Sequence, residues 1–223
     1  MRYTDFTVHD ILLLLQGAGV SVALFAATTV IGLAIGLAWA VLRYYRTPVL
    51  APFFTAVAEL LKNSPVLVQL FLVFFGLPVL LETDITPVQA AVITLSGNTA
   101  AFIYVIAASA IESIGREQLE TARVFGLSRW QILRKVVAPQ AAAFALGPLT
   151  GLLVNQLQVT SLISVIGVLD LTKVGAILNL RTLKPFIVWT VVGVLYYLMA
   201  KLIAITCARL ETGLRAHSQW KGL

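Results

Sequence analysis

One cysteine, two histidines and ten acidic residues in 223 positions leave little material for chemistry at a fixed site. A lone Cys207 excludes an internal disulfide framework and a multi-cysteine metal centre, and its apolar surroundings mark it as a packing residue. His9 and His217 stand near opposite ends of the chain, so the clustered His, Asp, Glu or Cys that an intramembrane enzyme needs is missing. No Gly-x-x-x-x-Gly-Lys-Ser/Thr phosphate loop occurs, which argues against nucleotide hydrolysis by this chain. There is no low-complexity tail, no Gly/Ser linker and no detectable repeat, so residues 1–223 read as one domain. Asp5 and Asp10 precede the first apolar run where a cleavable signal would be basic, and no removable leader is expected.

What the chain has in quantity is apolar surface. Hydrophobic residues make up 59% and charged residues only 12%, and the mean hydropathy is +0.93. These values depart from those of soluble domains in the direction of a membrane protein. The formal net charge of +6 does not indicate nucleic acid, because the basic residues punctuate apolar runs instead of gathering on a polar domain.

A membrane-crossing helix needs about 20 apolar residues, and a charge at the bilayer centre costs about 3 kcal/mol or more, so the intervals between charges mark the spans. Five intervals are long enough: Ile11 to Leu42, Asn63 to Leu81, Ile85 to Ile111, Val136 to Leu169, and Pro185 to Thr206. The last contains Lys201, close enough to a helix end to snorkel. The piece Thr47 to Ala58, with Pro48 and Pro52, is too short to cross and is expected at the interface. The spacing therefore predicts an all-α membrane protein of about five transmembrane helices near 14–42, 63–81, 87–111, 140–162 and 186–208. Each must be helical, since an isolated strand cannot satisfy its backbone in lipid.

Basic residues are enriched in cytoplasmic loops. One side of the proposed topology collects Arg43, Arg46, Lys62, Arg116, Arg123, Arg129, Arg134, Lys135, Arg209, Arg215 and Lys221; the other holds Arg2, Lys173, Arg181 and Lys184. This bias places the N-terminus outside, the C-terminus inside and the loop 112–139 in the cytoplasm.

Within that loop, Leu119, Ala122 and Phe125 recur at helical spacing. Gly126 suits a left-handed helix stop, and Ser128 is a good N-cap for a second short helix. Trp130, Leu133 and Val137 would share one side of it, and Pro139 would end it and turn the chain into the fourth span. The result is a helical elbow with an apolar face and a charged rim.

The spacing Glu120, Ala122, Gly126, Pro139 resembles the signature of permease subunits of bacterial ABC importers, in which Glu-Ala-Ala, three residues, Gly, nine residues and Ile-x-Leu-Pro recur. Thr121 takes the second place, and Val136 and Ala138 stand where Ile and Leu are usual. A second block, Lys62-Asn-Ser-Pro-Val-Leu-Val-Gln-Leu-Phe71 with Gly76-Leu-Pro78, is similar to the polar amino-acid members. Ala138 to Ala141 and Thr160 to Ile166 extend the likeness, which covers roughly Gly17 to Thr206. The resemblance implies a type I importer permease fold with a cytoplasmic coupling helix seated on an ATPase, carried here by Glu120, Thr121, Ala122, Phe125, Gly126, Leu127 and Ser128. It implies a pathway lined from the third and fourth spans, for which Asn98, Thr99, Tyr104, Gln156, Gln158, Thr160 and Ser161 are the candidates. Helix-to-helix bonding is the competing role for each. Val105, Ala108 and Val159 replace residues commonly charged in the family, which makes the expected pathway mostly neutral and favours a different permease as partner over a second copy of this chain.

The implied activity is transport of a polar amino acid delivered by a periplasmic binding protein and driven by separate ATPase subunits, which would hold the ATP and magnesium; this chain itself would bind no cofactor or metal. The expected setting is the bacterial inner membrane, with lipid around the subunit and no nucleic acid. The alternatives are an importer of another small solute, such as a peptide, opine or organic cation, or a secondary transporter, whose usual repeated halves five spans do not accommodate.

Overall fold

A computed structural model describes residues 5–220, with side chains to residue 212. Arg2 and Lys221, and the side chains of Arg215 and His217, lie outside the described residues. The described residues form helices and no strand: α1 (Val8–Tyr44), α2 (Leu50–Asn63), α3 (Val66–Leu81), α4 (Pro87–Glu112), α5 (Arg116–Val124), α6 (Arg129–Ile166), α7 (Leu171–Thr182) and α8 (Pro185–Trp220). By length and composition α1, α4, α6 and α8 can each cross a membrane, and α2 with α3 forms a bent pair, which adds a fifth span if the two cross together.

Large apolar side chains do not hold this bundle together, because lipid is as apolar as they are. Small residues that bring backbones close do so instead. The buried stripe of α1 runs Leu14, Gly17, Ala18, Ser21, Leu24, Thr28, Gly32, Gly36 and Ala40, at spacings of three and four apart from the adjacent pair Gly17 and Ala18. Its outward face carries Leu12, Val30 and Leu37, all exposed. The stripe seats α1 on α4, the most buried span. An ideal Cβ at Gly36 would lie 2.5 Å from the Ala100 carbonyl, and one at Gly32 would lie 2.6 Å from Thr99 Cβ. The N-terminus of α4 is fixed by a capping box, in which Gln89 N–H donates to Thr86 Oγ1 (3.3 Å) and Thr86 N–H to Gln89 Oε1 (2.9 Å).

The structure differs from the sequence expectations in four places. The interfacial piece 47–58 is longer, a helix over Leu50–Asn63, and it meets α3 at 108°. Ser64 is extended and Pro65 follows, a pair that disfavours the helical region at the break. Pro139 does not end a helix, because α6 runs unbroken from Arg129 to Ile166. A π turn over Leu133–Val137 lets Ala138 N–H bond to the Leu133 carbonyl and resets the ladder just before the proline, which has no N–H to give. Trp130, in the first turn of α6, does not share the buried side: Ile132, Leu133 and Val137 are buried whereas Trp130 is 58% exposed.

The fourth difference is α7, a helix between the fourth and fifth spans where the charges Lys173 and Arg181 interrupt the apolar run and no helix is predicted. Asp170 caps it, accepting from Lys173 N–H at 2.8 Å, and Leu183 closes it in a left-handed conformation. Leu171 and Leu178 are buried between α1 and α8 with Leu14, Ala18 and Val188. Arg181 in the last turn of α7 bonds Asp10, and Lys184 just beyond it bonds Asp5 and holds that carboxyl below its ordinary range. These pairs fasten the N-terminal segment and α7 at one end of the bundle. At the opposite end Arg43 bonds Glu112 (2.6 Å) beside the elbow.

Candidate functional site

The elbow is built on a buried base. Ala122, Ile132, Leu133 and Val137 pack with Ala110, Ile114, Ala141 and Ala145 beneath it, and Leu119 and Leu127 close the rim of that cluster. A hydrogen bond from Gln140 Nε2 to Gln118 Oε1 (3.0 Å) ties α5 to α6. α5 ends in a Schellman turn, in which Leu127 N–H reaches the Ala122 carbonyl (3.1 Å) and Gly126 N–H the Arg123 carbonyl (2.9 Å). Gly126 carries the left-handed conformation this turn demands, with φ at 76°. Ser128 then starts α6 with a capping box. Gln131 N–H donates to Ser128 Oγ (3.3 Å), and Ser128 N–H donates to Gln131 Oε1 (2.8 Å).

On this base the chain presents unsupported apolar side chains. Val124 is 87% exposed, Phe125 80% and Trp130 58%. Glu120, Thr121, Gly126 and Ser128 are exposed beside them; Ala122 is buried and Leu127 half-buried. Of the seven elbow residues named from sequence, two therefore anchor the structure and five face outward. Val124 and Trp130 are exposed as well and are not among those seven, although Trp130 is expected on the elbow's apolar side. The signal for Val124 is the helical spacing itself, since it precedes Phe125 on the side opposite Leu119 and Ala122.

The polar residues of the membrane helices fall into two groups. Asn98 donates to the Leu61 carbonyl (3.3 Å) and lies 3.5 Å from Gln69 Oε1, while Gln69 Nε2 bonds the Leu61 carbonyl (2.6 Å) and Ser64 Oγ (2.9 Å). This set pins the break between α2 and α3. Gln156 donates to Thr28 Oγ1 (3.2 Å) and fastens α6 to α1, and Thr160 bonds the Leu157 carbonyl (2.6 Å). Thr99 is fully buried against Gly32. Tyr104, 2% exposed, shares a hydrogen bond with Thr55 Oγ1 (2.5 Å) and accepts one from Arg43 (3.1 Å), joining α1, α2 and α4. These five act within the subunit.

Gln158 is exposed and Ser161 half-buried. The structure brings Gln158 into line with Phe144, Pro148, Gly151 and Asn155, all exposed on one face of α6 at spacings of three and four. Among the described residues neither the Asn155 nor the Gln158 amide has a hydrogen-bond partner. An amide left facing hydrocarbon costs about 4–8 kcal/mol, so this face belongs against protein or water, not lipid. Asn155 is not among the pathway candidates drawn from the sequence; the helical repeat running back to Phe144 is the signal that singles it out.

Residues 31–214 match the family model described as the inner membrane component of binding-protein-dependent transport systems. The glutamine transport system permease protein GlnP of Escherichia coli (strain K12) is 30% identical over 200 residues, covering 89% of this chain and 91% of that one. A probable amino-acid ABC transporter permease protein of Bacillus subtilis (strain 168), YckA, is 28% identical, with 91% and 89% covered. Among solved structures, a chain of an amino acid ABC transporter crystallised with histidines superposes with a TM-score of 0.85 at 25% identity, covering 95% of this chain and 99% of that chain. An inward-facing MetNI methionine ABC transporter chain gives 0.82 at 23% identity, with 94% and 99% covered, a likeness of fold. With the elbow, the bent second span and the match along most of its length, the chain belongs to the family of inner membrane components of binding-protein-dependent transport systems.

Proposed function

We propose that this chain is a pore-forming permease subunit of an ATP-driven importer of polar amino acids. It receives substrate from a periplasmic binding protein and couples to separate ATPase subunits, which bind the ATP and magnesium. The observation that carries this reading is the elbow: three exposed apolar side chains held rigidly by a Schellman turn and a capping box over a buried base. A surface of that kind, at the basic end of the bundle, suits an ATPase groove. The amino-acid assignment takes its support from the named substrates of the relatives.

The pathway is formed where the polar face of α6 meets a second permease subunit. Asn155, Gln158 and Ser161 are the pathway-facing groups, and the interior set from Asn98 to Thr160 holds the helices in register behind them. Val105, Ala108 and Val159 keep this half of the pathway uncharged, so a partner permease with charged residues at the matching positions completes a site for an ammonium and a carboxylate.

The orientation places the N-terminus and Thr83 in the periplasm and Gln131 in the cytoplasm. In a Cys207→Ser background, a cysteine at position 83 is expected to react with an impermeant maleimide in intact cells. A cysteine at 131 is expected to react only after the cells are opened. Labelling of 131 from outside overturns the orientation.

A further inference from the structure

The ends of α1 and α4 and the elbow enclose a cavity of ≈ 810 Å3 whose floor is apolar, with Ala40, Ala108, Ile114 and Ile132 among its residues. Its wall is basic: Arg43, Arg46, Arg116, Arg123 and Arg129 face Glu112 and Glu120. Arg43 is engaged by Glu112 and Tyr104. The other four guanidinium groups pair with no carboxylate among the described residues.

Three of these four stand where local structure disfavours them. Arg116 opens α5 and Arg129 opens α6, the positive ends of the helix dipoles. Arg46 adopts φ of 53°, a left-handed conformation that glycine or asparagine takes more readily. The general preference for basic cytoplasmic loops does not require this arrangement, since Arg134 and Lys135 satisfy it from outside the cavity. Converging arginines offer paired N–H donors matched to phosphate oxygens.

We propose that the cavity binds the phosphate of an anionic phospholipid, with an acyl chain laid along the apolar floor. The shared chemistry with a free phosphate ion is the guanidinium cluster. The floor favours the lipid, because Ala40 and Ala108 belong to the spanning helices and an inorganic ion gains nothing from them. Placement in the inner leaflet rests on the orientation proposed above; binding to the purified protein does not.

The test uses the full chain purified in a neutral detergent, incubated with palmitoyl-oleoyl phosphatidylglycerol or with the matching phosphatidylcholine, cleared of excess lipid and weighed by native mass spectrometry. Phosphatidylglycerol is expected to be retained roughly fivefold or more above phosphatidylcholine. The double variant Arg116→Gln, Arg129→Gln is expected to lose about tenfold of that retention through lost charge-assisted bonds. Arg134→Gln, Lys135→Gln removes the same charge outside the cavity and is expected to retain the lipid. Arg46→Gly, which removes a guanidinium while relieving its backbone, provides a second reading if the first double variant fails to fold. Equal retention of the two lipids, or equal loss in the two double variants, overturns the proposal. So does release of the lipid by millimolar inorganic phosphate, which would assign the site to a soluble anion, or by purified ATPase subunit, which would assign it to the docking interface.

Discussion

Gly126→Val is expected to abolish productive coupling while leaving the membrane helices inserted and the protein expressed. The Schellman turn needs φ of 76° at this position, and a β-branched residue there costs about 1–2 kcal/mol, near a tenfold shift in the population of the turn. A Cβ at Gly126 meets nothing within 4 Å, so sterics with neighbours play no part and the effect is conformational alone. That separates the variants by dihedral preference: asparagine should be tolerated, alanine intermediate and valine worst. The readout is substrate-stimulated ATP hydrolysis by the complex, expected to fall about tenfold or more for valine. Glu120→Lys, which reverses an exposed charge beside Val124 and Phe125, should weaken ATPase association without touching the turn. Wild-type hydrolysis in both Gly126→Val and Glu120→Lys would remove the elbow from the coupling pathway.

Gly36→Val is expected to have the opposite profile, destroying the fold and not the coupling. Its Cβ would sit 2.5 Å from the Ala100 carbonyl and 2.8 Å from Ile103 Cβ, and a backbone atom cannot step aside as a side-chain end can. Overpacking costs typically about 1–3 kcal/mol, and the added branch on a rigid helix pair places this variant at or above the upper end. Gly19→Ala is the control on the same helix, where the new Cβ meets nothing within 4 Å. Relief of glycine's backbone entropy should make that variant neutral or more stable by about 0.5–1 kcal/mol. Thermal unfolding of the two purified variants checks the pair. Equal midpoints for both would mean that close contact between α1 and α4 is not what holds the bundle.

The span-length apolar segments were legible because charge is so expensive in lipid that its absence marks them; four are single long helices and the second is part of a bent pair. The elbow was legible because Gly126, Ser128 and the apolar spacing of Leu119 and Ala122 are local rules that tertiary contacts did not override. Helix α7 was not, since Lys173 and Arg181 read as loop charges until Asp10 and Asp5 are seen to lie beside Arg181 and Lys184 at the same end. Nor was the unbroken course of α6, because a π turn that accommodates Pro139 leaves no residue-type signature. The family resemblance points to the third and fourth spans for the pathway, and within them only polarity marks the candidates. Polarity cannot tell Gln156, bonded to Thr28 in the interior, from Gln158 two residues on, which faces outward; only the rotation of α6 against α1 and α4 separates them.

The central claim is tested most directly by isolating the complex through an affinity tag on this chain, placing it in proteoliposomes and following uptake of a panel of radiolabelled polar amino acids. Uptake is expected only with ATP on the ATPase side and substrate-loaded binding protein on the other. It should disappear when the ATPase subunit is stripped away. Amino-acid uptake by this chain alone, driven by an ion gradient without ATP, would contradict the account.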